Sequence, residues 1–552
     1  MMSQKKRSDS NFMMQGSILA IASIISRVIG LLYRAPLTDI IGKTGNDFYG
    51  TAYEVYNIIL IISSYSIPLA VSKLVATRMA DKEYKNAWRV FKGAMLFAFI
   101  SGGIAMAVVL VGADFFCGNI LQTPLSALAL RILAPVLLIV AIVGVMRGFF
   151  QGLHTMVPSA FSQIVEQIFN AVVSVVAAYY LFSYGAKVGA VLGDSKRIAA
   201  AYGAAGGTLG TAVGAVVALL FMTFMVLVYR RVMKKKMRRD KHRNTESYLS
   251  IMKILVMTIV PVLLSTTLYN VSAIIDQGIF KNIVNIQGYD KHQISEWWGV
   301  FAGQYIVLIN VPISIASAMA ASCVPSMAAA YQEGNEMMMQ RRIRLATRFI
   351  MLIAFPCTVG MAVLGGPIMQ LLFKDTDPTS AYMMQIGALP IIFFSWSTLS
   401  NGLLQGIDRM KVPVRNAGIA LVAQIVFLVA ALEIFHLNIY AVVLANAFYG
   451  LMMAILNHMA LRRYSGTTLD PVKTFLIPCG ASLGMGLIVW LVYKGVMLVL
   501  SSNTVATILS ILVGMFVYFV LMILMHGITE SELRTLPKGV VLIRIAKKLH
   551  LM

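Results

Sequence analysis

The chain has 552 residues, of which 59% are hydrophobic and 12% charged, with a formal net charge of +23. That composition excludes a soluble globular domain and marks an all-α, polytopic membrane protein. Its basic residues fall between apolar segments, where they report topology, so no nucleic-acid partner is expected.

The first apolar stretch, residues 16–41, reads GSILAIASIISRVIGLLYRAPLTDII. It is long enough to cross a bilayer as a helix, yet it holds two arginines. Arg27 lies about 16 Å along the axis from Gly16, near mid-membrane at ~1.5 Å per residue. Arg34 follows two turns later, so one helix face carries Ser23, Arg27, Gly30 and Arg34. An arginine in the bilayer costs roughly 2.5 to 3.5 kcal/mol on insertion scales, so each needs a watery cavity or an anionic partner. The cavity is the working expectation. The alternative is pairing with carboxylates in a packed bundle, for which Glu166, Glu54 and Asp276 are the acidic residues within reach of spans. Lys5, Lys6 and Arg7 before this run resemble a signal peptide, but the run is too long and too many spans follow, so a retained first helix is expected.

Fourteen spans are expected, at about 14–41, 52–80, 90–113, 124–150, 159–183, 201–229, 248–276, 298–330, 343–364, 380–406, 413–435, 438–461, 472–498 and 502–526. With the N-terminus inside, most of the 46 Lys and Arg fall in inner segments. This predicts a multi-pass protein of the cell membrane with both termini cytoplasmic. The sixth span carries Gly206, Gly210 and Gly214, a small-residue face for close helix contact. Pro68, Pro135, Pro261, Pro312 and Pro478 sit inside spans, where they kink helices or are simply tolerated.

Gly148-Phe-Phe-Gln151-Gly152, near the end of the fourth span, recurs as Gly402-Leu-Leu-Gln405-Gly406 near the end of the tenth. Each is followed by a proline, Pro158 or Pro413. Six spans separate the copies, an even number, so the halves share an orientation and form two parallel six-helix lobes related by an axis along the membrane normal. The domain reading is therefore a lobe at 1–233, a basic cytoplasmic linker at 234–247, a second lobe at 248–464, two additional helices at 465–529 and an amphipathic cytoplasmic tail at 530–552. From Arg230 to Arg243, nine of fourteen residues are Lys or Arg, which suits anionic membrane lipids. In the tail, Thr529 and Glu532 have capping-box spacing.

Segments outside the membrane are too short for a catalytic domain. Gly42-Lys43-Thr44 lacks the glycine that a phosphate loop needs five positions earlier, where Leu37 stands. The four cysteines (Cys117, Cys323, Cys357, Cys479) form no CxxC pair and the seven histidines are dispersed, so neither metal nor other cofactor is expected. Asp290, His292 and Glu296 are the acid/base candidates if the protein were a membrane-embedded transferase. A transporter without covalent chemistry is the preferred reading, and no enzyme activity is expected.

Ser26-Arg27-Val28-Ile29-Gly30, Leu32-Tyr33-Arg34-Ala35-Pro36-Leu37 and Glu532-Leu533-Arg534-x-Leu536-Pro537-x-Gly539, together with the six-plus-six-plus-two layout, resemble the stage V sporulation protein B and YtgP family. That family is MurJ-like and belongs to the MOP superfamily of polysaccharide exporters and lipid II flippases. The resemblance covers nearly the whole chain. It implies two lobes in a V, a cationic cavity that receives an undecaprenyl-linked glycan pyrophosphate, and a groove for the lipid tail formed by the last two helices. Arg27 matches the family's first cavity arginine. The second falls one position before Arg34 in MurJ proteins and is followed by an acidic residue, where Ala35 stands here, and no sodium-site residues match. The site expected to hold the substrate is Arg27 and Arg34 with Ser23 and Gly30, and Lys73, Arg131 and Arg147 as further candidates. The expected activity is transfer of the lipid-linked unit, lipid II above all, from inner to outer leaflet by a monomer. A MATE-type cation extruder and an exporter of another lipid-linked polysaccharide are the alternatives.

Overall fold

The computed structural model describes residues 2–153, 155–240 and 245–527. The tail expected at 530–552, residues 241–244 of the expected linker and the side chain of Ser23 lie outside that description. Every regular element among the described residues is helical: α1 (Met2–Leu60), α2 (Ile67–Ala80), α3 (Tyr84–Asp114), α4 (Ser126–Gly152), α5 (Val157–Leu192), α6 (Ser195–Arg238), α7 (Tyr248–Asn270), α8 (Ser272–Ile286), α9 (Lys291–Val300), α10 (Ile306–Gln332), α11 (Glu336–Phe373), α12 (Pro378–Ile386), α13 (Pro390–Gly406), α14 (Lys411–Glu433), α15 (Asn438–Ser465), α16 (Ile477–Leu500) and α17 (Asn503–Leu524).

Among the described residues eleven helical stretches are long and apolar enough to cross a bilayer, or twelve if the pair α12 and α13, bent by 42°, is one span. The difference from fourteen has identifiable places. Ile25–Ala80 counts once but has 56 residues, about 84 Å of helix against a hydrocarbon core of about 30 Å. It is broken at Gly42, whose φ of 69° and ψ of −176° end one helix and begin the next. Only glycine reaches that conformation without steric cost. From α7, only Tyr248–Ile259 passes as a shorter apolar helix.

Two of the helix interruptions have a proline logic. A proline lacks the N–H for its helical bond and crowds the carbonyl four residues back. The π-helical turn Ile61–Tyr65 precedes Pro68, at the start of α2, and Val472–Leu476 precedes Pro478, at the start of α16. The wider turn absorbs the crowding.

The chain forms two compact units, Met1–Gly303 and Gln304–Met552. In the first, α6 lies along α5 through the expected glycine face: a Cβ on Gly206 would sit 2.6 Å from the Ala177 carbonyl carbon, and one on Gly214 2.6 Å from the Glu166 carbonyl oxygen. Gly148 and Gly152 seat α4 on α2, where added Cβ atoms would meet the Pro68 and Ser72 carbonyl oxygens at 2.6 and 2.8 Å. In the second unit, Gly402 seats α13 on α10 in the same manner, 2.8 Å from the Ala320 Cβ. The last two helices pack on α11, where Tyr518 donates to the Leu352 carbonyl oxygen (2.9 Å) and Asn503 to that of Pro367 (3.1 Å).

The unit boundary at Gly303 differs from the linker expected at 234–247. Helix α6 runs on through Arg238, and α7 to α9 belong to the first unit. Lys235, Lys236 and Arg238 in its last turn complement the negative end of the helix dipole, which favours this extension.

Candidate functional site

The arginine stripe of α1 and the polar face of α5 are the two polar features of the first spans. On α5, Ser162, Glu166, Asn170 and Ser174 recur every four residues, so one face of an otherwise apolar span is polar. Arg147 of α4 reaches that face: its Nε donates to Ser162 Oγ (2.8 Å) and its Nη2 to Glu166 Oε2 (2.6 Å). Further along, Thr211 of α6 donates to Asn170 Oδ1 (3.3 Å) and lies 2.8 Å from the hydroxyl of Tyr53 on α1. Gly30 faces the neighbouring α5 residue, since a Cβ there would lie 3.4 Å from Gln167 Nε2.

Arg34 is held differently from the other cations. Its guanidinium stacks over the Tyr49 ring at 4.4 Å, and Tyr49 stacks in turn on Tyr53 at 5.0 Å. Arg34 Nη1 and the Tyr49 hydroxyl are both buried without a hydrogen-bond partner. Arg27 is exposed on the same stripe. Neither arginine takes part in an ion pair among the described residues, whereas Arg78, Arg147 and Lys281, all at least partly buried, each have a carboxylate.

The remaining sequence candidates are dispersed. Lys73 is exposed on α2, and its carbonyl oxygen accepts from Thr77 Oγ1 (3.0 Å). Arg131 pairs with Asp114 (2.5 Å), the two side chains 47% and 70% exposed. It lies sixteen residues from Arg147 on one helix, about 24 Å away. Of the sequence candidates, Gly30 and Arg147 meet α5, through Gln167 and through Ser162 and Glu166, Arg34 rests on Tyr49 of its own helix, Arg27 is exposed, and Lys73 and Arg131 stand apart. Asp290 caps α9, accepting from the His292 amide (3.1 Å), and His292 and Glu296 are an exposed i, i+4 pair at 3.7 Å. All three act as ordinary helix-end polar residues.

A second constellation went unread in the sequence. Lys281 of α8 donates to Asp47 Oδ1 of α1 (2.5 Å) and to Thr123 Oγ1 (2.6 Å). The other oxygen of Asp47 accepts from Ser295 Oγ of α9 (2.6 Å), and Thr51 lies 3.2 Å from Oδ1. The Lys281 and Asp47 side chains are 3% and 1% exposed. Such a pair ties α1 to α8 and α9, because separating it would strand a charge in an apolar interior. The available signal was Asp47, Thr51 and Glu54 at i, i+4 and i+7, a polar stripe on an apolar helix. No group of His, Cys, Asp and Glu suited to a metal ion occurs among the described residues.

A profile of the family described as polysaccharide biosynthesis protein matches residues 13–331, more than half of the chain. The chain belongs to that family. Within the family's wider relatives, it is 24% identical to the lipid II flippase MurJ of Bacillus subtilis (strain 168) over 464 residues, 81% of this chain and 82% of that protein. It is 20% identical to the stage V sporulation protein B of the same organism over 402 residues, covering 72% and 74%. Among solved structures, lipid II flippase MurJ in an inward closed conformation matches with a TM-score of 0.64 at 14% identity, covering 91% of this chain and 97% of that one. An inward-facing MATE-family multidrug resistance transporter of the MOP superfamily also matches at 0.64, with 16% identity, 80% of this chain and 94% of that one. The resemblance to MurJ and to the stage V sporulation protein B thus extends along most of the chain, and the fold is shared with MurJ and with a MATE transporter of the MOP superfamily.

The basic segment of this family member also has specific contacts. Glu246 accepts from Arg78 at both oxygens (3.1 and 2.8 Å) and its amide donates to Asn86 Oδ1 (3.0 Å). Asp240 Oδ2 accepts from the Lys85 amide (2.8 Å). Asp240 in the basic run and Glu246 just after it thus pin this segment to the last turn of α2 and the first turn of α3.

Proposed function

We propose that this multi-pass membrane protein flips an undecaprenyl-pyrophosphate-linked glycan, lipid II in the first instance, from the inner to the outer leaflet by alternating access of two lobes. The observation that carries the reading is the contrast among cations. Arg78, Arg147 and Lys281 are neutralised by the protein's own carboxylates, while Arg27 and Arg34, on the first membrane helix, are not. A cation kept in a span without an internal counter-ion calls for an external one, and a pyrophosphate supplies two charges and several acceptor oxygens.

At an effective dielectric of about 20 and a spacing near 10 Å, Arg27 and Arg34 repel by roughly 1.6 kcal/mol. An entering dianion relieves that repulsion. The substrate then has a differential affinity for the conformation that exposes the stripe, which a transport cycle requires. In this reading Gly30 keeps the helix face open between the arginines, Ser23 extends it, and Arg147, already paired with Glu166, shapes the neighbouring surface. Lys73 and Arg131 would act at most on approach. The exposed basic residues from Arg230 to Arg239 rest on anionic lipid, both termini lie in the cytoplasm, and the tail of the lipid runs along α16 and α17.

A cation extruder is the second reading, supported by the equal TM-score of the MATE transporter and by the buried acidic residues Asp47 and Asp276. One experiment separates the readings. Depleting the protein in its host while measuring lipid-linked precursors on each leaflet should show lipid II retained on the inner leaflet. Retention of another lipid-linked polysaccharide unit would move the substrate within the class, and no retention with increased drug-cation accumulation would favour the extruder.

A further inference from the structure

Arg34 and Tyr49 are fifteen residues apart, about 22 Å along an unbroken helix, yet the guanidinium carbon of Arg34 lies 4.4 Å from the centroid of the Tyr49 ring. The break at Gly42 makes this approach possible. Across it Thr38 Oγ1 donates to Asn46 Oδ1 (3.4 Å). The contacts therefore join the fourth residue before Gly42 to the fourth after it, and the eighth before to the seventh after. That is the register of two antiparallel helices, and it brings Tyr49 to the arginine stripe.

The Tyr49 ring is fixed from its other sides. It stacks on Tyr53 at 5.0 Å and 23°, and the Tyr53 hydroxyl lies 2.8 Å from that of Thr211 on α6. A Cβ on Gly207 of α6 would stand 3.0 Å from two of the Tyr49 ring carbons, and the residue is fully buried. Unlike a carboxylate, an aromatic ring attracts a guanidinium through its quadrupole and leaves the charge in place. A ring also engages the flat face of the guanidinium, whereas the N–H donors lie in its edge and match the oxygens of a phosphoryl group. Nη1 of Arg34 is a buried donor without a partner. One turn earlier on the same helix stands Gly30, where a Cβ would meet only Gln167 Nε2 within 4 Å, so no side chain crowds that flank.

We propose that Tyr49 is a positioning residue: its ring holds the Arg34 guanidinium by the face, fully charged, with the edge presented to the anionic headgroup of the substrate. This deepens the function proposed above and rests on it for the identity of the anion. It gives Arg34 an aromatic partner where Arg78, Arg147 and Lys281 have carboxylates. Because Nη1 is buried here, the anion meets it in a conformation that opens the stripe.

The test uses the full chain in lipid nanodiscs, with farnesyl pyrophosphate as a probe that carries the headgroup chemistry on a short chain. Phenylalanine placed at position 49 with none, one, two or three ring fluorines keeps the shape of the ring and weakens its quadrupole stepwise. Tyr49→Phe should bind the probe as the parent does. The trifluorinated ring should weaken binding by about threefold to tenfold, the effect of a desolvated cation–π contact. The thermal unfolding midpoint should fall along the same series in the parent and stay level in Arg34→Ala, because a positioning residue acts only through the group it positions. Affinity that ignores fluorine, a Tyr49→Phe loss as large as that of the trifluorinated ring, or a fluorine effect on the midpoint that persists in Arg34→Ala overturns the proposal. A parent protein that ignores the probe sinks the pyrophosphate reading instead. The hold of Tyr49 on Arg34 is then judged by the midpoint, and a level midpoint in both backgrounds overturns it.

Discussion

The two copies of the GxxQG repeat share a packing role and differ in charge. In the first unit Gly148 and Gly152 press α4 onto α2, and in the second Gly402 presses α13 onto α10. The residue just before the first glycine is Arg147 in one and Asn401 in the other. Arg147 is bound by Glu166 and Ser162. Asn401 accepts from Asn457 (2.6 Å), whose own oxygen accepts from Asn416 (2.9 Å). An ion pair and a chain of amides thus fill equivalent places. The backbone constraint, close approach of two helices, is kept in both units because a Cβ has no room there. The polar group beside it is free to change provided that its partners change too, since a half-satisfied network is costly in either form.

The largest effect should come from breaking the charged copy. Arg147→Ala strands Glu166 and should lower stability by about 3 to 5 kcal/mol, seen as a fall in the thermal unfolding midpoint in detergent, with Arg147→Met/Glu166→Leu recovering much of it. The uncharged copy should suffer less: Asn457→Ala leaves two amides short of a partner and should cost about 1 to 3 kcal/mol. If the two losses were equal, the charge difference between the units would have no energetic meaning. Gly148→Ala and Gly402→Ala should each cost about 1 to 3 kcal/mol by overpacking, with Gly148 the worse because its Cβ would meet backbone rather than a methyl group. The smallest stability change belongs to Arg27→Ala, within about 0.5 kcal/mol for an exposed and unpaired side chain. On the flippase reading that variant nevertheless loses transport, and Arg27→Lys, which keeps the charge without the fork, regains only part of it. A stable Arg27→Ala protein with unimpaired flipping would remove α1 from the substrate path.

Local pattern carried the helices, the repeat and the Gly206, Gly210 and Gly214 face, because each depends on neighbours within a few turns. The arginine stripe was equally legible, since the periodicity of one helix places Arg27 and Arg34 together. Partnership was not. Asp47 and Lys281 are 234 residues apart and Arg78 and Glu246 are 168 apart, and periodicity says nothing about which polar stripe meets which. Arg147 and Arg131 look alike in sequence, each a lone cation on α4, and only the structure separates an arginine on the α5 polar face from one paired at the far end of the helix. The fourteen expected spans and the eleven to twelve counted differ where Gly42 joins two helices and where α7 and the α12–α13 bend interrupt an apolar run. Hydropathy alone does not register such geometry.

The clamps on the basic segment bear on how the chain could be divided. Asp240 and Glu246 stand on either side of residues 241–244, Asp240 bound to Lys85 at the start of α3 and Glu246 to Arg78 at the end of α2 and to Asn86 of α3. The covalent link between them therefore duplicates an attachment that side chains already make. Opening the chain between residues 241 and 244 should leave two polypeptides that find each other in the membrane. Co-expressed as separate pieces, 1–241 and 244–552 should co-purify, and Glu246→Ala should weaken that assembly. The segment is accordingly a natural place to insert a reporter or to build a split version of the protein.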